Sequence, residues 1–167
     1  MTFGLVSTKL RMCPITTKYR LKFATPEDDK RRAVAFLISN NIRATANTAF
    51  KKLSKDHQLW LQIRFEYWIS GQRPNKKWFH GWNLSEFQGK YTKCFVFKCR
   101  EKLQYHRFYG FLRNPKASNP GYQVCVLVIH AYKEGYETDE ADLKGVEELR
   151  TSPIIIRTID DYFRGKP

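Results

Sequence analysis

Three consecutive stretches constrain the fold most: Lys93-Cys-Phe-Val-Phe-Lys-Cys-Arg100, Tyr105-His-Arg-Phe-Tyr-Gly-Phe-Leu112 and Tyr122-Gln-Val-Cys-Val-Leu-Val-Ile-His-Ala-Tyr-Lys133. Each is rich in β-branched and aromatic residues, and each has the length of a strand. A short turn and the segment Asn114-Pro-Lys-Ala-Ser-Asn-Pro-Gly121 connect them. Neither connection is long enough for a crossover, so strands at about 91–101, 104–113 and 122–132 must run antiparallel. The same strands place Lys98, Arg100, Arg107, His130 and Lys133 among apolar neighbours. Desolvating an unpaired cation is costly, so an anion such as an RNA phosphate is the expected counterpart.

Upstream, Lys18-Tyr-Arg-Leu-Lys-Phe23 alternates polar and apolar residues and reads as a half-buried strand. Thr25-Pro-Glu-Asp28 supplies a cap, a proline and early acids, which predicts a helix to about Asn40-Asn41 with Val34, Leu37 and Ile38 as its buried stripe. A second helical region near Thr45 carries Ala49, Phe50 and Leu53 and breaks at Ser54. Asp56 then opens a stronger helix in which Leu59, Ile63 and Tyr67 recur every fourth residue beside Trp60 and Trp68, and Gly71 ends it. Residues 72–89 read as a basic, aromatic loop. Thr138-Asp-Glu-Ala-Asp142 announces a helix to about Arg150, and residues 151–163 fit either a helix or a strand. Residues 1–17 read as an arm, and residues 18–167 as a single α+β domain.

A chain of 167 residues with 42% hydrophobic residues has enough material for one core without metals or disulfides. Its net charge of +14 calls for a polyanionic partner. Much of the acid lies late, from Glu134 to Asp161, which leaves the preceding region more basic still. The four cysteines, Cys13, Cys94, Cys99 and Cys125, form no CxxC pair; Cys94 and Cys99 fall on opposite faces of one strand and cannot share a metal there. The apolar start Met1-Thr-Phe-Gly-Leu-Val is soon followed by Lys9 and Arg11, too brief for a signal peptide, and no run is long enough to span a bilayer. A cytoplasmic protein without a membrane partner is the expectation.

Lys98 and Arg100 share parity and so share a strand face, from which they can contact one RNA backbone. His106 and His130 have the reference pKa of proton shuttles, about 6.5, although a lone histidine in an apolar strand is more often a hydrogen-bonded core residue. Trp78, Phe79, His80 and Trp82 interleave with Lys76 and Lys77, as expected where bases stack while cations follow phosphates. Tyr136 is a further candidate for stacking or proton donation, against a bland reading as an ordinary loop aromatic.

The element order strand, two or three helices, three antiparallel strands, helix resembles the RelE/ParE/HigB superfamily of small bacterial toxins. Trp82-Asn-Leu-Ser-Glu-Phe-Gln-Gly-Lys-Tyr91, Phe97-Lys-Cys-Arg100, Tyr105-His-Arg107 and His130-Ala-Tyr-Lys133 followed by a polar helix are similar to short family motifs. The likeness spans roughly residues 18–150. It departs from the pattern at the extra residue between Tyr105 and Arg107, in the longer segment before the sheet and in residues 1–17. The resemblance implies a RelE-like fold, with an N-terminal strand and helices before a three-strand antiparallel meander and a C-terminal helix.

It also implies an endoribonuclease, an mRNA interferase that needs neither metal nor cofactor and cleaves mRNA, on the ribosome, by attack of a 2′-OH on the adjacent phosphate. The antitoxin neutralising it would be an acidic or helix-turn-helix protein. Carried over by motif, Lys98 is the base or acid if burial among cations lowers its pKa, Arg107 the phosphate clamp and Lys133 the basic residue at the strand end. Pairing of Arg107 with Glu101 or Glu86 and an outward-facing Lys98 are the structural alternatives. Two other function classes stay open: a ParE-like gyrase-inhibiting toxin, and a non-catalytic RNA- or DNA-binding protein.

Overall fold

The computed structural model describes residues 17–26, 30–41, 43–135 and 137–167. Its elements are β1 (Tyr19–Phe23), β2 (Arg32–Ser39), α1 (Ala46–Lys52), α2 (Lys55–Ile69), β3 (Phe79–Gly81), β4 (Cys94–Glu101), β5 (Gln104–Arg113), β6 (Gln123–Lys133), α3 (Glu140–Arg150) and α4 (Pro153–Phe163). The domain is α+β, and β4, β5 and β6 form the antiparallel meander expected from their short connections. That meander is part of a larger sheet. Six strands lie in the order β1-β2-β6-β5-β4-β3, with β2 parallel to β6 and the other neighbours antiparallel. The expectation of a three-strand meander alone is corrected accordingly.

The extra strands come from two segments that read differently in the sequence. Arg32–Ser39 is β2, not a helix, because its apolar run is buried on both sides. Val34 and Phe36 pack towards α1 and α2, while Ala33, Ala35 and Leu37 pack towards α3 and α4. A helix would have left part of this run wet, whereas a central strand with a parallel neighbour covers all of it. Phe79–Gly81, inside the basic loop, adds a short edge strand on β4. The ambiguous segment at 151–163 is helical: Pro153 starts α4, and Ile155, Ile159 and Phe163 bury one stripe.

Helices cover both faces of the sheet. Leu61, Phe65, Trp68 and Ile69 of α2 pack with Ala46 of α1 on Phe95, Phe97, Phe108 and Leu127. On the other face, Leu143, Val146 and Leu149 of α3 pack with α4 on Val96, Tyr109, Phe111 and Val126. The buried stripe of α2 is therefore not Leu59-Ile63-Tyr67. Leu59 and Trp60 are more than half exposed, and Ile63 is 39% exposed. Ser54 caps α2 by accepting from the His57 N–H, and Gly71, at φ +84°, closes it as its N–H donates to the Trp68 carbonyl.

At Gly110 the β5–β6 register slips by one residue, and the backbones close in. A Cβ there would lie 2.4 Å from the Val126 carbonyl oxygen, so only glycine fits. Cys94, Cys99 and Cys125 are free and buried, the first two in separate cores on opposite faces. Cys13 and most of the 1–17 arm lie outside the described residues. Among the described residues no helix is long and apolar enough to cross a membrane.

Candidate nucleic-acid interface

The pairing of β4 with β5 sets Lys98 directly opposite Arg107 and Arg100 opposite Tyr105. Across β6, Tyr105 faces Lys133. Lys98, Arg100, Arg107 and Lys133 therefore share one face of the sheet, as their parity predicts. Their charged ends nonetheless do different things.

β3 pairs with β4 only as far as Phe97, so the edge of β4 beyond that point lacks a strand partner. The loop before β3 and the flank of α2 take its place. The Lys98 N–H donates to the Trp78 carbonyl at 2.8 Å, its Nζ donates to the Lys76 carbonyl at 2.8 Å, and the Arg64 guanidinium donates to the Lys98 carbonyl. Together they frame a cavity of about 280 Å³ whose cations are Arg64, Lys76, Lys77, Lys98, Arg100 and Arg107. Trp78, Tyr105 and His106 supply its aromatic walls, and among the described residues no carboxylate lines it. Glu86 and Glu137 line an adjoining depression that shares Lys76, Lys77 and Lys98 with the cavity.

Burial, then Arg107 and then Lys76 lower the Lys98 pKa to about 8. Each effect disfavours the charged ammonium, so a fraction of this lysine is neutral at physiological pH. Burial also lowers the Arg64 pKa from its ordinary value. Arg100 is held over the Tyr105 ring at 5.2 Å, and its Nε donates to the Lys102 carbonyl.

Arg107 is 2% exposed. Its guanidinium donates to the Gly135 carbonyl at 2.8 Å and the Glu137 carbonyl at 3.0 Å, with the Thr138 and Tyr109 hydroxyls at 3.4 Å. These bonds fasten the β6–α3 loop to the sheet. Neither Glu101 nor Glu86 is among its hydrogen-bond partners here. Lys133 also points to α3: its Nζ lies 2.9 Å from Asp142 and 3.7 Å from Asp139, at the helix N-terminus. Burial works against its charge, but Asp142 outweighs it and holds the pKa above the ordinary value.

Two expected RNA-contacting residues lie elsewhere. Trp82 is buried and stacks on Tyr109 in the core under α3, so it is not an exposed stacking surface. His130 lies on the α1 and α2 face, where its Nε2 is 3.0 Å from His106 Nδ1 and its backbone N–H donates to Thr45. Burial and the neighbouring His106 push its pKa down to about 4. His106 completes a chain of ionisable groups, with Glu101 at 3.6 Å and His57 at 3.4 Å from the same carboxylate. Tyr136 lies outside the described residues.

Arg64 is the cavity residue that the sequence reading missed. Its mark in the sequence is slight: a guanidinium flanked by Ile63 and Phe65 on a helix that is apolar on two sides. No protein-family model, no curated protein and no solved structure matches this chain.

Proposed function

We propose that this chain is an RNA-cleaving protein of the RelE/HigB kind, acting on single-stranded RNA in the cavity at the open end of β4. The carrying observation is the cavity itself, which gathers six cations and the three aromatic rings of Trp78, Tyr105 and His106 without a carboxylate among its described residues. An acidic protein surface would satisfy the charge alone. A single RNA strand satisfies both, with its phosphates against the cations and its bases against the rings. The element order lends support: from β2 through α1, α2, the meander and α3, the chain runs strand, two helices, three antiparallel strands, helix, with β1 and β3 added at the sheet edges.

In this reading Arg64, Lys76, Lys77 and Arg100 hold the phosphate and stabilise the charge that builds on it during reaction. Lys98, with its pKa near 8, is neutral in roughly a tenth of molecules at pH 7 and takes the proton from the ribose 2′-OH. The 2′-oxygen forms a bond to phosphorus as the bond to the 5′-oxygen breaks. Solvent at the cavity mouth protonates the departing oxygen, leaving a 2′,3′-cyclic phosphate and a 5′-hydroxyl. Arg107 and Lys133 act as positioning residues, because they hold the β6–α3 junction and Gly135 lines the cavity. A gyrase poison requires no such neutralisable lysine, so the cavity favours the nuclease.

The test is incubation of the purified protein, with EDTA present, with end-labelled single-stranded RNA, free and on ribosomes. Cleavage products ending in a cyclic phosphate are expected, and Lys98→Met should slow cleavage by about 10²-fold or more. Binding should weaken with salt, with a log–log slope of about −0.7 per phosphate neutralised. Binding without cleavage in either setting favours the non-catalytic RNA-binding class. A flat salt response refutes the phosphate site.

A further inference from the structure

We infer that the groove between α2 and the loop at Trp78 is a nucleobase subsite, which seats a base of a single strand next to the phosphate in the cation cavity. The inference rests on the RNA reading above and adds the part of the substrate recognised. The groove, about 180 Å³, is lined by Trp60, Ile63, Arg64, Tyr67 and Trp78. Trp60 is 52% exposed and Trp78 38% exposed, a large apolar area to leave in water. α2 already buries its opposite face in the core, so folding of this domain does not require the second apolar face.

The chemistry of the lining points to a flat ring as the occupant. Tyr67 and Trp78 lie 5.8 Å apart with their planes inclined by 34°, and the Arg64 guanidinium sits 6.0 Å from the Trp78 ring centre. Aromatic faces and a guanidinium plane are the surfaces on which unpaired bases stack. Continuity supports the same conclusion, because Arg64 and Trp78 line both the groove and the cation cavity. A strand whose phosphate is held by Lys76, Lys77 and Arg100 thus has a neighbouring base within reach of the groove. Charge agrees: no carboxylate lines the groove among the described residues, and Glu66 beyond Tyr67 is held by Lys30 at 3.2 Å. In a duplex both faces of each base are already stacked, so the subsite selects single strands.

The experiment measures binding of two 2′-O-methyl oligonucleotides that cannot be cleaved, one ordinary and one abasic throughout, to wild type and Trp60→Ala. Trp60 is exposed and lies outside the cation cavity, so the variant should fold; its circular dichroism checks this. Wild type is expected to bind the ordinary strand about 10-fold or more tighter than the abasic one. Trp60→Ala should lose about 10-fold on the ordinary strand, with little change on the abasic strand and an unaltered salt slope. Equal wild-type affinity for both strands, or a Trp60→Ala variant within twofold of wild type, overturns the subsite while leaving the phosphate site intact. Binding of neither strand overturns the subsite and the RNA reading together, and leaves a protein segment as the occupant of the groove.

Discussion

Replacing Arg107 with methionine should destabilise the protein by about 2–3 kcal/mol and raise the Lys98 pKa at the same time. The side chain is 2% exposed and makes its two shortest bonds to the Gly135 and Glu137 carbonyls. Hydrogen bonds to a charged group contribute about 1.5–3 kcal/mol each. The low end applies, because Gly135 and Glu137 are exposed and their freed carbonyls recover water. Methionine keeps most of the packing of the stem, and removal of a buried charge relieves its desolvation, which trims the total further. For a chain of this size the loss corresponds to a fall in Tm of roughly 5–10 °C.

A titration supplies the second readout. Arg107 lowers the Lys98 pKa through charge, so Arg107→Met should move it up from about 8, short of the ordinary lysine value because burial remains. Arg107→Lys separates the two effects. It retains the charge beside Lys98 but lacks the fork that spans two carbonyls, so it should melt early while the Lys98 titration stays near that of wild type. Calorimetry and NMR titration of the lysine side chains make both measurements. If Arg107→Met melts within 2 °C of wild type, the loop is not held as described. If the Lys98 titration does not move, the face shared by the two cations is wrong. Loss of activity in Arg107→Ala then reports a displaced loop as much as a lost phosphate contact.

Gly110→Ala should cost at least about 3 kcal/mol or abolish soluble expression, because the new Cβ would sit 2.4 Å from the backbone oxygen of Val126; an unchanged urea midpoint would show that the β5–β6 bulge can open. Acid should also weaken the fold. His130 has its pKa pushed down to about 4 and His106 is lowered as well, so between pH 6.5 and 4 the unfolded chain binds protons that the native chain refuses, and their contribution to stability, complete above pH 6.5, declines as pH falls. Discounted for the partial exposure of the His130 ring, the decline is about 1–2 kcal/mol. Urea midpoints at pH 7 and 4.5 measure it, with His130→Gln separating the pair from Glu101 and His57 nearby. A decline of the same size in that variant would remove the histidine from the account.

The meander was legible in the sequence because alternating apolar runs with short connections admit one arrangement. β2 was not, since Ala33 to Ile38 is continuously apolar, and such a run fits a buried helix or a two-sided strand until its neighbours are known. The face of α2 was undecidable for a related reason. Leu59-Ile63-Tyr67 and Leu61-Phe65-Trp68 are two stripes at helical spacing on one helix, and the sheet chose the second. Parity placed Lys98 and Arg107 together correctly. It also separates His130 from Lys133, three residues apart, yet both were assigned to one site. The partners of Arg107 left no mark, because they are backbone carbonyls, which every residue carries. Trp82 misled by composition, as an aromatic in a basic loop that turned inward onto Tyr109.

The parallel pairing of β2 with β6 orders events during synthesis. Arg32 pairs with Gln123 and Phe36 with Leu127, so the inner edge of β2 waits for most of the chain to be made. In that interval β1 can cover one edge and α1 and α2 one face, but the other face belongs to α3 and α4, which are made last. A nascent chain halted before residue 123 therefore displays an apolar strand with an open edge, the form of intermediate that recruits chaperones or pairs with another copy. Completion of β6 closes the sheet, and α3 and α4 then cover its second face. Fragments ending inside the meander should accumulate as aggregates, not as partly folded domains.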